Sequence, residues 1–139
     1  MKKIIFGMMI LSVMLTGCGK DTLSCTSKSN DLGKNMVTKI IVTFDKDEAS
    51  NLVTDISTTY DQEYLAELDA NYKNFEENFE SYEDYEGVKT KLSKKENVLN
   101  INLEFDMTKE DAKNNSGFAK YTDKKDYKQR LEKSGYTCN

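Results

Sequence analysis

The sequence predicts an α+β fold, an antiparallel sheet of about four or five strands with two main helices packed on one face. Apolar residues alternate with polar ones in paired segments, which is typical of hairpins with one solvated face. Elsewhere apolar residues recur at spacings of three and four, which is typical of amphipathic helices. The predicted element order is (β)ββαββα, in which the first strand is optional.

The first hairpin is predicted over residues 36–44 and 52–60. Ile40, Val42 and Phe44 fall on one face of its first strand, and the polar stretch 45–50 forms the turn. The optional strand lies around residues 23–28, followed by a turn at 30–35.

A helix is predicted from the capping residue Asp61 to about Tyr82. Its apolar stripe consists of Leu65, Leu68, Tyr72, Phe75, Phe79 and Tyr82. These aromatic residues could line a ligand groove, but we interpret the stripe as the face that packs on the sheet. Gly87 marks the stop before the next strand.

The second hairpin is predicted over residues 88–94 and 98–107, and its second strand alternates most regularly in the chain. A helical turn at 108–113 and a last helix at 123–134 follow. Tyr127 and Leu131 face inward on that helix, and Gly135 ends it.

The first residues have the pattern of a secretory signal. Lys2 and Lys3 precede an apolar run at 4–15, and small residues follow in Leu15-Thr16-Gly17-Cys18. A membrane-spanning helix would need about 20 apolar residues, and the run is shorter. We therefore predict a signal peptide at 1–17, a lipidated tether at 18–24 and a single α+β domain at 25–139.

The segment Leu15-Thr16-Gly17-Cys18 resembles the lipobox of bacterial lipoproteins. The resemblance implies that Cys18 carries a diacylglyceryl group and becomes the first residue after cleavage. Two acyl chains hold a protein firmly, because each buried methylene contributes about 0.8 kcal/mol. We expect a lipid-anchored protein at the extracytoplasmic face of the cell membrane, with the alternative of a plain signal peptide and a chance cysteine.

Assigning Cys18 to lipid leaves two cysteines, Cys25 and Cys138. We predict that they form a disulfide, since the compartment lies outside the reducing cytosol. In the chain-entropy model a bridge across roughly 110 residues stabilises the fold by about 4–5 kcal/mol. The alternative is two free thiols.

Charge is unevenly distributed. Removing Lys2 and Lys3 from the 20 basic residues leaves 18 against 24 acidic ones, a net charge of −6. Residues 18–86 carry −10 and residues 87–139 carry +4. The acidic balance argues against nucleic acid as a partner, and no polybasic segment binds anionic lipid. The membrane is therefore reached through the lipid on Cys18.

No catalytic, metal-binding or cofactor-binding residue can be assigned from the sequence. Histidine is absent, as are the glycine-rich phosphate loop and the nucleophile motifs. The acidic cluster at 76–86 and the Asp45-Lys46-Asp47 segment could attract calcium but lack the spacing of a calcium loop. We interpret the cluster as a solvated helix face, and the lysine-rich stretches 89–95 and 120–133 as exposed faces that could pair with it or with a partner.

A looser resemblance extends beyond the lipobox. With Tyr72-Lys73-Asn74, Gly87-Val88, a Lys/Thr-rich strand and Val98 to Asp106, the chain resembles the YehR-like small bacterial lipoproteins. This similarity spans the signal, the lipobox and roughly residues 60–115. It implies a lipoprotein of α+β fold and transfers no functional residue besides the lipobox cysteine.

Three functions are compatible with these observations. We expect a non-enzymatic envelope module that binds an envelope protein or a small ligand through the solvated sheet face or the helix groove. The alternatives are a carboxylate-dependent envelope hydrolase, for which carboxylate pairs are abundant, and a structural component without a discrete ligand.

Lipidation can be tested by mass spectrometry of the membrane fraction. We expect the mature chain to begin at Cys18 and to carry the mass of a diacylglyceryl thioether, since the lipobox directs both modifications. An intact, unacylated N-terminus would contradict the assignment.

Overall fold

The computed structural model describes residues 20–139. It is an α+β domain with a six-stranded sheet, in which every paired strand is antiparallel, and three α-helices. The predicted class is confirmed, and the strand number is higher than expected. In chain order the elements are β1 (Asp21–Asp31), β2 (Lys34–Asp45), β3 (Glu48–Tyr60), a 3-10 helix (Gln62–Tyr64), α1 (Leu65–Glu80), β4 (Val88–Lys95), β5 (Val98–Asp106), α2 (Glu110–Asn115), α3 (Lys124–Lys133) and β6 (Thr137–Cys138).

The strand order across the sheet is β4-β5-β3-β2-β1-β6. Tight turns join β1, β2 and β3 into a meander. After β3, α1 carries the chain to the edge of the sheet, where β4 begins, and β5 then returns to pair with β3. The two edges are therefore the long strand β4 and the two-residue strand β6.

The additional strands lie at the ends of the domain. The optional first strand is present and begins at Asp21. Residues 21–24 therefore belong to the sheet, although the sequence placed them in the predicted tether. β6 was not predicted, because two residues are too few for an alternation pattern to show. The first strand therefore begins four residues before the predicted domain boundary at residue 25.

A single row of apolar side chains crosses five strands. Leu23, Val42, Leu52, Phe105 and Val88 are successive cross-strand partners from β1 to β4. The first three are 0% exposed and Phe105 is 3% exposed. Alternate residues on each strand point to the opposite face, so this row fixes which face is buried.

All three α-helices pack on the face that carries this row. Tyr127 and Leu131 of α3 and Ala112 of α2 share a buried cluster with Val42 and Leu52. Leu68 of α1 lies in a second cluster on the same face, which contains Tyr60, Leu99 and Ile101.

The opposite face of the sheet carries mostly polar side chains, together with the half-buried Val37, Ile41 and Val53. One of its rows runs Thr26, Lys39, Asp55, Asn102 and Lys91 across the strands. Within it, Asn102 Nδ2 donates a 2.6 Å hydrogen bond to Asp55 Oδ1. No helix of the described residues is packed on this face, which leaves it open to water or to a partner.

Helix α1 is shorter and less buried than its sequence pattern predicted. Residues 62–64 form a 3-10 helix, and α1 ends at Glu80. Leu68 is its fully buried residue, whereas Tyr72, Phe75 and Phe79 are half-buried. The reason is topological, since the helix passes over β4, the last strand at this edge.

The described residues contain no helix that is long and apolar enough to span a membrane.

Cys25 and Cys138 face each other across β1 and β6, with their sulfur atoms at a disulfide distance of 1.96 Å. This geometry fits the predicted pairing. Asn139 N donates a 3.0 Å hydrogen bond to Ser24 O beside it. The bridge holds the C-terminus against the first strand, 113 residues away in sequence.

A double variant Cys25→Ala/Cys138→Ala should lose about 2–5 kcal/mol of unfolding free energy, because the unfolded chain is no longer constrained. Urea denaturation measures this loss, and the wild type treated with a reducing agent serves as the control. Equal stability of the oxidised wild type, the reduced wild type and the variant would contradict a structural bridge.

Candidate functional site

An open cleft of about 710 Å³ lies at the end of the sheet where β2 turns into β3. Its floor is formed by Ala49, Met107 and Tyr127. Its rim carries charges of both signs, from Asp45, Asp47, Glu48 and Asp123 and from Lys46, Lys113 and Lys120. The cleft therefore combines an apolar floor with a mixed charged rim.

The turn between β2 and β3 brings one side of this rim into place. Its central residues, Lys46 and Asp47, have φ values of 50° and 71°, as in the tight hairpin turns that match strand twist. The turn predicted at 45–50 is therefore shorter in the structure, with only Lys46 and Asp47 between the two strands. Beside it, the Ser50 hydroxyl donates a 3.2 Å hydrogen bond to Thr43 O. Glycine and asparagine are the residues most often found at such positive φ values, whereas here Lys46 and Asp47 adopt them.

The ring of Tyr127 is held by three other aromatic rings. It meets Phe44 edge to face at a centroid distance of 5.5 Å and lies nearly parallel to Phe118 at 5.9 Å. The Tyr121 ring approaches it to 4.9 Å. These contacts give the phenol a fixed direction on the cleft floor.

The hydroxyl of Tyr127 has no hydrogen-bond partner within residues 20–139, although the residue is only 1% exposed. No side-chain polar atom of that region is both sealed from solvent and unpaired. We infer that the hydroxyl opens into the cleft that Tyr127 lines. Burial raises the pKa of Tyr127 to about 12, so the phenol stays neutral and can donate or accept a hydrogen bond.

The start of α3 is fixed by a reciprocal cap. Asp126 N donates to Asp123 Oδ1 at 2.9 Å, and Thr122 N donates to Asp126 Oδ2 at 3.0 Å. The Arg130 guanidinium donates to Asp126 at 2.7 Å and is the main reason why the pKa of that carboxyl is lowered. Thr122 and Asp123, both at the cleft, are thereby held in position.

Arg130 also covers one side of the neighbouring aromatic ring. Its guanidinium lies 4.9 Å from the centroid of the Tyr121 ring. This contact ties the loop before α3 to the helix itself.

An ion pair connects this end of α3 to the first strand. Lys124 Nζ lies 2.7 Å from Asp21 Oδ1, and this hydrogen bond is the main cause of the lowered pKa of Asp21. The cleft is therefore next to the point where the described chain begins.

The cleft is suited to holding a polar molecule. Its four carboxylates, Asp45, Asp47, Glu48 and Asp123, are all exposed. No group of three or more carboxylate or cysteine side chains in residues 20–139 is arranged to hold a metal ion. The Tyr127 hydroxyl and the charged rim can together bind a ligand that has both hydrogen-bonding and charged groups.

Of the residues singled out in the sequence, the structure brings Cys25 and Cys138 together, but away from the cleft. Cys18 lies outside the described residues, and Cys25 and Cys138 sit at the β1–β6 edge. Asp45-Lys46-Asp47, considered above for calcium, lies on the cleft rim. The sequence predicts that Tyr127 faces inward, and the residue is buried. It does not predict that Tyr127 also lines a cleft, where its hydroxyl can meet a ligand.

Tyr127→Phe tests the environment of this hydroxyl. Between pH 10 and about 12 the unfolded phenol loses its proton while the folded one keeps it, so the free energy of unfolding falls as pH rises. Spectrophotometric titration should show that the folded variant lacks one phenolate that forms near pH 12 in the wild type. If the missing phenolate forms near pH 10 instead, the hydroxyl is not buried as described.

Comparisons with known proteins bear on the fold. No family model and no curated protein matches this chain. A search of solved structures found an NMR structure of a protein from Streptococcus pneumoniae TIGR4, with a TM-score of 0.52 and 13% sequence identity. The similarity covers 86% of this chain and 85% of the other. At this level of identity the likeness supports the α+β fold alone.

Proposed function

We propose that this protein is a lipid-anchored, non-enzymatic binding module of the bacterial envelope and that the cleft beside α3 holds its ligand. The observation that carries the proposal is the Tyr127 hydroxyl, which is directed by packed rings at a cleft and has no hydrogen-bond partner within residues 20–139. A hydroxyl that faces a cleft and has no hydrogen-bond partner within residues 20–139 can form a hydrogen bond with a ligand.

The proposed anchor would enter the domain at the same end as the cleft. Cys18 precedes Asp21 by three residues, which span at most about 11 Å when extended. Asp21 in turn is held by Lys124, next to the cleft residue Asp123. A lipid on Cys18 would therefore place the cleft close to the membrane surface. Membership of the YehR-like lipoproteins is part of this proposal.

The ligand that fits best is small and polar. The rim contains both carboxylates and ammonium groups, and this favours a zwitterionic or hydroxylated compound over a strongly charged one. The phenol supplies one directed hydrogen bond, while Met107 and Ala49 leave room for an apolar portion.

A carboxylate-dependent hydrolase is the second candidate, because four carboxylates line the same cleft. Such enzymes keep one carboxyl protonated near neutral pH, usually by burying it. All four groups here are exposed, which favours binding over catalysis.

Thermal denaturation in the presence of single envelope-type compounds, namely amino acids, amino sugars and short peptides, tests the proposal. A bound compound at about ten times its dissociation constant should stabilise the folded protein by about 1.4 kcal/mol and so raise Tm. Tyr127→Phe should reduce this shift, because the directed hydrogen bond is lost.

Tyr85→Phe is the matched control, since Tyr85 is 37% exposed and lies outside the cleft. A shift that is the same in wild type and Tyr127→Phe would place the ligand elsewhere. Hydrolysis of a stabilising compound, monitored by mass spectrometry, would favour the hydrolase instead.

A further inference from the structure

The outer edge of β4 carries unpaired backbone groups. Gly87 O accepts a 2.8 Å hydrogen bond from Asp106 N, so the pairing of β4 with β5 runs through Gly87 and every second residue after it. The N–H and C=O groups of Thr90, Leu92 and Lys94 consequently point away from β5. No strand within residues 20–139 covers this edge.

A groove lies above this edge on the helix side. It has a volume of about 290 Å³ and an apolar base formed by Tyr72, Phe79 and Leu92. Three carboxylates line it, those of Glu76 and Glu80 on α1 and that of Glu83 in the turn after the helix. None of the three is in a salt bridge with another described residue.

The other side of the same edge is positive. Along β4, Lys89 and Lys91 alternate with Thr90 and Leu92, whose backbone groups point away from β5. The side chains of Lys89 and Lys91 lie on the open face of the sheet, and both are exposed. On the helix side β4 itself carries Lys94, whose ammonium group is already paired with Asp69 at 2.6 Å. A strand added to β4 would thus meet the unpaired carboxylates of the groove with one set of side chains and the ammonium groups of Lys89 and Lys91 with the other.

A second copy of the chain is a poor occupant of this edge. Antiparallel pairing of two β4 strands would place lysines of one copy among lysines of the other on the open face, because alternate residues share a face. Lysines on an edge strand are a known device against self-association. The same lysines would attract an acidic strand.

We propose that β4 binds an extended segment of a partner protein by strand addition, and that this segment carries lysine or arginine at every second position. The basic side chains lie in the groove, with their stems on Phe79 and Leu92 and their cationic groups at Glu76, Glu80 and Glu83. The intervening residues are short or acidic and lie beside Lys89 and Lys91. This surface is separate from the cleft and does not depend on its function.

Fluorescence anisotropy with a labelled peptide tests the proposal on the full mature chain. The probe has about ten residues, with lysine at every odd position and threonine or glutamate between. The control peptide has the same composition with its lysines in one block. The alternating peptide is expected to bind more tightly, and hydrogen exchange followed by mass spectrometry should show new protection within residues 88–95.

Two variants and one matched control locate the site. Glu80→Gln should weaken binding about two- to fivefold, through loss of a charge pair. Thr90→Pro removes an outward N–H without touching the pairing to β5 and should weaken binding about fivefold or more. Glu77→Gln, on the same helix but outside the groove, should leave the affinity unchanged.

Several outcomes would overturn the proposal. The first is equal affinity for the alternating peptide and the control peptide. The second is an equal loss of affinity in Glu77→Gln and Glu80→Gln. The third is new protection from hydrogen exchange outside β4. If the chain instead self-associates, and Thr90→Pro abolishes that association, a second copy is the occupant. Circular dichroism shows whether Thr90→Pro folds, and Glu80→Gln keeps the test decisive if it does not.

Discussion

The apolar row Leu23, Val42, Leu52, Phe105 and Val88 is the constraint on which the structure depends. Because strand side chains alternate, moving any of these strands by one residue would turn its core residue to the open face of the sheet. The row thereby fixes the register of five strands and the face that receives the helices. Hydrophobic burial along it is the main favourable term in folding.

Coverage of the sheet by helices on one face explains where the cleft and the groove lie. With the helices confined to one face, the cleft forms at the end of the sheet between the β2–β3 turn and α3, and the groove forms where α1 passes over β4. The uneven charge distribution of the sequence also corresponds to particular surfaces of the fold. Glu76, Glu80 and Glu83 line the groove, and the basic residues Lys89 and Lys91 follow on β4.

The sequence predicted the elements that carry a long periodic pattern. Both hairpins and the last helix were foreseen, because alternation and helical spacing persist over eight or more residues there. β6 was not, since it depends on Cys138 meeting Cys25 rather than on local pattern. The cleft is built from segments distant in sequence, and no local pattern indicates that the Tyr127 hydroxyl faces it without a hydrogen-bond partner among the described residues.

Native-state hydrogen exchange resolved by residue tests the central claim, that one buried row organises the sheet and leaves β4 open. The amides of Val42 and Leu52 should exchange only by global unfolding, because they lie in interior strands beneath the helices. The amides of Thr90, Leu92 and Lys94 should exchange rapidly. Rapid exchange in β2 and β3, or protection of the outward amides of β4 in the free protein, would contradict this account.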